Sequence, residues 1–175
     1  MSDVHKSRVT IALCTFNGPQ HLEAQLASYL TQTHTAWDLW VSDDGSSDTT
    51  RTILEDFAKA HGHNRDIRIL EGPQKGVAAN YLSLLCHPEF PQAPCALSDQ
   101  DDVWLPEKLA LGMAEIQIAP PCLYGAQSVA TNADLVPLGH SQHTSQKGPS
   151  PPSFANALVQ NIVSGHSAML NAPAP

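Results

Sequence analysis

The sequence has few cysteines, and they are not spaced as pairs. Cys14, Cys86, Cys95 and Cys122 include no C-x-x-C, and three of the four lie in or beside apolar runs, as buried thiols do. No disulfide framework is indicated, and a reducing, cytoplasmic setting fits. Positive charge is also short: nine Lys and Arg stand against seventeen Asp and Glu, a formal charge of −8. A phosphate backbone would be repelled, which argues against a nucleic-acid partner. Long apolar runs are missing too. Met1 to Arg8 is polar with no secretory leader, and nothing approaches the roughly 20 apolar residues of a membrane span. Any membrane contact is therefore expected to be peripheral, at the inner face. No internal repeat is visible.

What is present suits one soluble domain. The 175 residues are 42% hydrophobic and 15% charged, enough to bury roughly 70% of the surface an unfolded chain exposes. Neither a metal nor a disulfide is needed to hold a core of that size.

The chain alternates short apolar runs with helical periodicity. Val9 to Cys14 reads as a strand buried on both faces, ending at Thr15-Phe16-Asn17-Gly18-Pro19. Asn17 or Gly18 can cap and Pro19 can open a helix with Leu22, Leu26, Tyr29 and Leu30 inward. Leu39 to Ser42 is a second strand running into Asp43-Asp44-Gly45-Ser46-Ser47-Asp48, and Ile53, Leu54 and Phe57 mark the next helix. Ile67 to Leu70 is a third strand, Gly72 to Gly76 a turn, and Val77, Tyr81, Leu84 and Leu85 a third helix. Cys95 to Ser98 is a fourth strand, followed by an acidic loop and a helix from near Pro106 with Leu109, Met113 and Ile116 inward.

This alternation predicts an α/β fold with a mainly parallel sheet covered by helices on both sides. Ligands in such sheets sit beyond the carboxyl ends of the strands. The loops Thr15 to Asn17, Asp43 to Asp48 and Asp99 to Asp102 each follow a strand, so all three are expected to open on one edge. Residues 9–120 form this core, with 1–8 expected to be disordered. Residues 121–175 read as an incomplete acceptor-side region: Leu123-Tyr124, Val129-Ala130 and Val163 to Leu170 as strands, 140–153 as a mobile loop, and Phe154 to Gln160 as a short helix.

Six of the seventeen acids are Asp43, Asp44, Asp48, Asp99, Asp101 and Asp102. Two carboxylates about 4 Å apart repel by roughly 4 kcal/mol at an effective dielectric near 20. A hard divalent cation, Mg²⁺ or Mn²⁺, offsets that better than protonation and is commonly held by carboxylates together with substrate phosphates. Asp99, Asp101 and Asp102 are the candidate metal ligands, and the ion would stabilise a departing diphosphate as a Lewis acid. The bland reading of the same acids is a helix N-terminal segment favoured by the dipole. Asp43-Asp44-Gly45-Ser46 is also a turn with Ser46, Ser47 or Asp48 as a cap, while a carboxylate there could accept the imide N–H of a pyrimidine.

The ordered blocks VTIALCTFNGPQHLEAQLASYLTQT, LWVSDDGSSDTT, GVAANYLSLL and LSDQDDVWLPEKL resemble family-two glycosyltransferases of the GT-A fold, especially bacterial rhamnosyltransferase-like members. The later run QNIVSGHSAMLN is similar to the acceptor-side segment of that family. The resemblance implies inverting transfer of a hexosyl or rhamnosyl group. The donor would be a UDP- or dTDP-linked sugar and the acceptor a hydroxyl of a glycan or lipid-linked glycan. It implies that Thr15 and Asn17 line the nucleotide pocket, that Asp44 meets the base with Asp43 beside it, and that Lys75 and Asn80 lie near the nucleotide. Asp101 would serve ribose and metal, and Asp102 with Asp99 the metal-diphosphate pair. From the residues alone, Gly76 is equally a turn glycine and Asn80 a helix-surface residue.

Other readings stay open. Trp104 is either a sugar-pocket wall or packing at a helix entrance. His166 is a weak candidate base, more simply a neutral histidine packed near a strand, and His61-Gly62-His63 reads as a solvated helix end. Asp134 is the only acid after Glu115 and sits in an expected turn. The base is therefore expected beyond Pro175, with little or no transfer by this chain, which would then act as a nucleotide-sugar-binding fragment. Asp99-Gln100-Asp101-Asp102-Val103 also satisfies the D-x-D-x-V signature of haloacid-dehalogenase phosphatases, but that family carries it on its first strand. A nucleotidyltransferase would need a Gly- and Arg-rich phosphate loop that Thr15 to Pro19 lacks.

Overall fold

Seven consecutive buried residues, Val9–Thr15, make the central strand β1. A strand rich in Val, Ile and Leu with no polar face must be covered on both sides. The computed structural model describes residues 7–116, 121–140 and 163–171. The expected disordered start, the loop over 140–153 and the helix over 154–160 fall at residues outside that range, apart from Ser7, Arg8 and His140, and His140 ends a strand where a loop is expected.

β1 pairs in parallel with β2 (Trp37–Asp43) on one side and β4 (Cys95–Ser98) on the other, and β2 pairs in parallel with β3 (Ile67–Glu71). Between them run α1 (Pro19–Leu30), α2 (Thr50–His61) and α3 (Val77–Leu85), and α4 (Lys108–Ile116) follows β4. Alternate β1 residues choose opposite covers. Ile11 and Leu13 pack with Leu22, Leu26 and Tyr29 of α1, Leu54 of α2, and Leu109, Met113 and Ile116 of α4. Ala12 and Cys14 pack with Trp40 and with Leu84 of α3.

Two faces differ from the periodic expectation. Leu30 is 39% exposed, whereas Gln25 and Ser28 of α1 are buried. Gln25 Nε2 donates to Tyr29 Oη at 3.0 Å and to Ser98 Oγ at 2.6 Å, so this buried polar group ties α1 to the end of β4. Val77 is 66% exposed, and Asn80, readable as a surface residue, is buried.

The sheet continues past β4 with strands running the other way. β5 (Leu123–Gly125) and β8 (Ala168–Leu170) are antiparallel, giving the order β3-β2-β1-β4-β8-β5. Of the strand expected over Val163 to Leu170, only β8 is extended, and Gly165–Ser167 before it is a 3₁₀ turn. β6 (Val129–Thr131) and β7 (Pro137–His140) form a separate antiparallel pair. The sequence reading had no counterpart for β7. Among the described residues no helix is long and apolar enough to cross a membrane.

Candidate functional site

The loops after β1, β2 and β4 do open on one edge. With the turn between β3 and α3 they line a cleft of about 610 Å³. Cys14, Thr15 and Phe16 come from the end of β1, and Asp44 and Gly45 from the loop after β2. Gln74, Gly76, Val77 and Asn80 come from the third unit, and Asp99, Gln100 and Asp101 from the acidic loop.

Adjacent aspartates at the end of β2 have separate tasks. Asp43 is buried and outside the lining; its Oδ1 accepts the Thr15 hydroxyl at 2.7 Å and the Ser46 hydroxyl at 2.6 Å, and its Oδ2 accepts the Ser46 N–H at 3.0 Å. Asp44 faces the cleft. Its Oδ1 accepts the Gln74 N–H at 2.6 Å and its Oδ2 the Gly76 N–H at 2.8 Å. Both donors lie on left-handed backbone, Gln74 at φ 57° and Gly76 at φ 87°. That conformation is costly for Gln and free for Gly, and it aims two turn amides, on either side of Lys75, at the carboxylate.

Asn17 is exposed and outside the lining. At φ 46° it uses the left-handed region that Asn tolerates, its N–H donates to Ser46 Oγ at 2.9 Å, and its Oδ1 accepts the Ser47 N–H at 2.9 Å. It joins the first loop to the second. None of the caps expected after Asp44 is the N-cap of α2, which is Thr49; Asp48 Oδ1 accepts the Thr50 N–H at 2.9 Å, and the Thr50 hydroxyl together with that N–H holds the Asp48 carboxyl below the ordinary range. Lys75 is exposed between two lining residues without lining the cleft itself. Asn80 Nδ2 donates to the Ser42 carbonyl at 2.9 Å and its Oδ1 accepts the Ser42 hydroxyl at 2.5 Å, fixing α3 to β2 at the cleft wall.

At the other end, Asp99, Asp102 and His166 bring one donor atom each within 4.8 Å of one another. His166 Nδ1 lies 3.8 Å from Asp99 Oδ2 and 3.8 Å from Asp102 Oδ2. Asp101 lines the cleft but is exposed and is not in this group. Burial, reinforced by the Asp101 and Asp99 carboxylates, raises the Asp102 pKa against the pull of His166 and Lys108. The Tyr81 hydroxyl lies 2.7 Å from Asp99 Oδ1, and burial with the Asp99 charge raises its pKa, so it stays a donor. Asp102 Oδ2 and His166 Nε2 are buried with no hydrogen-bond partner among the described residues. Unpaired buried donor and acceptor atoms are costly, and two oxygens with one imidazole nitrogen form a set that Mn²⁺ accepts.

From sequence His166 reads as a weak candidate base or, more simply, a packed histidine. Nothing in its neighbourhood of sequence marks it as a ligand; its place follows from β8 pairing with β4, which sets the turn of Gly165–Ser167 beside the acidic loop. Trp104 is buried as packing, edge-on to Tyr29 with ring centroids 4.9 Å apart, and does not line the cleft. Asp134 lies in the turn between β6 and β7, its N–H donating to Asn132 Oδ1 at 3.0 Å.

Comparison with known proteins adds the family. The profile described as Glycosyl transferase family 2 matches residues 10–172. A UDP-Glc:α-D-GlcNAc-diphosphoundecaprenol β-1,3-glucosyltransferase of Escherichia coli is 28% identical over 130 residues, 73% of this chain and 49% of that protein. A dTDP-rhamnosyl transferase of Shigella flexneri is 31% identical over 100 residues, 55% of this chain and 34% of that protein. The chain spans between 34% and 63% of the length of the curated relatives it matches. Among solved structures, a mannosyltransferase from Pyrobaculum calidifontis in complex with GDP-Man and Mn²⁺ superposes with a TM-score of 0.59 at 18% identity, covering 97% of this chain and 45% of that one. Residues 1–349 of TarS from S. aureus give 0.51 at 21% identity, covering 62% and 32%. These likenesses establish the GT-A fold.

Proposed function

The chain belongs to glycosyltransferase family 2, and from that premise we propose that its cleft binds a nucleoside-diphosphate sugar for transfer to an acceptor hydroxyl. The donor is a UDP- or dTDP-linked hexose or deoxyhexose, and the acceptor a glycan or lipid-linked glycan. The observation that carries this is the meeting of Asp99, Asp102 and His166 beside the cleft, with His166 Nδ1 3.8 Å from an oxygen of each carboxylate and Asp102 Oδ2 buried and unpaired.

In this reading Asp99, Asp102 and His166 would hold Mn²⁺ or Mg²⁺, which would supply Lewis acidity for a leaving diphosphate. Asp101 stands at the exposed side of the cleft to take a ribose hydroxyl, and the Thr15 to Phe16 edge bounds the nucleotide. Asp44 accepts an imide N–H of the base through lone pairs left free by the turn amides; held by two N–H groups, it is aimed before the ligand arrives. Asp43 and Asn17 shape the two loops, and Asn80 the wall. Transfer proceeds with inversion, the acceptor losing its proton to a base outside these groups. Asp134 lies on the β6–β7 turn and does not line the cleft. Donor binding without transfer is the second reading.

Calorimetric titration of UDP and dTDP with Mn²⁺, beside a sugar-transfer assay, tests this. Binding that needs Mn²⁺ and drops at least tenfold in Asp102→Asn and His166→Ala is expected. Affinity equal in the variants and the unsubstituted chain would defeat the cation assignment. Rapid turnover would overturn the binding-only reading, and release of phosphate from an aryl phosphate would favour the phosphatase reading.

A further inference from the structure

Lys108 opens α4, and its side chain turns toward the last segment instead of solvent. Its Nζ donates to the His166 carbonyl at 2.7 Å and stands 3.9 Å from the centroid of the Trp104 ring. Burial pulls its pKa down to about 8 against the pull of Asp102 and Asp99. A carbonyl and a ring face therefore fix one ammonium, and the carbonyl belongs to the residue whose imidazole faces both carboxylates.

The other hydrogen bonds of this turn lead elsewhere. Ser167 N–H and Oγ both donate to the Ser164 carbonyl, at 3.0 and 2.8 Å, and the Ala126 N–H donates to the Ser167 carbonyl at 3.1 Å. Space around Gly165 is open. The β8–β4 pairing begins only at Met169. Among the described residues, Lys108 is the direct bond from α4 to His166 itself.

We propose that Lys108 is a positioning residue, one that fixes the Gly165–Ser167 turn so that the His166 imidazole stays beside Asp99 and Asp102. This deepens, and rests on, the cation site assigned above. Position and charge act with opposite sign. An ammonium near a cation site repels the cation, so its removal alone strengthens binding. Loss of a ligand's support weakens it, commonly by tenfold or more.

The test is a double-mutant cycle read with Mn²⁺ alone by electron paramagnetic resonance. Lys108→Met is expected to weaken Mn²⁺ binding about tenfold in the otherwise unchanged chain and to weaken it no further in His166→Ala. Unchanged or tighter binding in Lys108→Met, or an equal loss in both backgrounds, overturns the proposal while leaving the cation site standing. A metal-free reading runs beside it: the His166 imidazole resonance, identified by its disappearance in His166→Ala, is expected to shift in Lys108→Met. A resonance that stays in place overturns the proposal, and this reading decides it should the unsubstituted chain bind no Mn²⁺, the outcome that removes the cation site. Lys108→Gln, which deletes the charge and shortens the reach, replaces Lys108→Met if the latter does not fold.

Discussion

The side-chain amide of Gln100 grips both polar groups of one residue: the Phe16 N–H donates to its Oε1 at 2.8 Å, and its Nε2 donates to the Phe16 carbonyl at 3.0 Å. The loop after β4 is thereby hooked to the loop after β1. Gly18 leaves room for the hook, since a Cβ there would collide with the Gln100 amide. Gln100→Ala is expected to lower UDP affinity several-fold at a stability cost of about 1 kcal/mol, because the freed Phe16 groups face water. Gly18→Ala, which expels the same amide, is expected to weaken UDP binding in the same way. Calorimetry showing undiminished affinity in both would remove Gln100 from the site.

Asp44 and Asp43 should respond differently to the same substitution. The donors to Asp44 are two backbone N–H groups, which cannot reverse; an Asn amide turned toward either meets donor with donor. Two of the three donors to Asp43 are hydroxyls, which can rotate to accept. Asp44→Asn is expected to lose roughly 1–3 kcal/mol in urea denaturation and Asp43→Asn less. The reverse order would contradict the assigned partners.

How much of this was legible in the sequence depends on distance along the chain. Three loops at the sheet edge are legible because apolar runs stop abruptly at Thr15, Asp43 and Asp99 and parallel strands put those stops on one side, whereas the part taken by the turn after β3 comes from the structure. The tasks of neighbouring acids are not, because successive strand residues point opposite ways and only the register says which way faces the cleft. Asn80 looks like a surface residue until Ser42 meets it from another element. His166 is least legible, since its position depends on pairing between strands more than 70 residues apart, Ala96 with Met169.

The pH dependence follows from Asp102. Its folded pKa is raised above the ordinary carboxylate value of about 4. The folded chain thus keeps that proton to higher pH than the unfolded chain does. The associated stability is complete below the ordinary range and is lost as pH rises through the raised pKa. In the metal-free protein, Asp102→Asn is therefore expected to melt no lower than the unsubstituted chain at pH 7, with any advantage shrinking toward pH 4. Mn²⁺ competes with the same proton, so its apparent affinity should fall as pH drops across that window. Thermal melts and Mn²⁺ titrations at pH 4–8 check both.

Gly112 lets α4 approach β8, since a Cβ there would collide with Met169 Sδ and crowd Tyr124. Gly112→Ala is expected to cost about 1–3 kcal/mol in spite of alanine's better helix propensity. It should also weaken Mn²⁺ binding by moving the strand that follows His166. A stabilised variant with intact binding would show the contact to be loose.

The insertion of β8 between β4 and β5 has a consequence for synthesis. Among the described residues β5 is bonded within the sheet to β8 alone, and β8 also to β4. A nascent chain can therefore close the parallel half around β1 as soon as residue 98 has emerged, yet the segment holding β5 must wait, its edge unmatched, until residue 170 follows. Assembly of the parallel half and completion of the imidazole corner are thus separated in time by some seventy residues of translation.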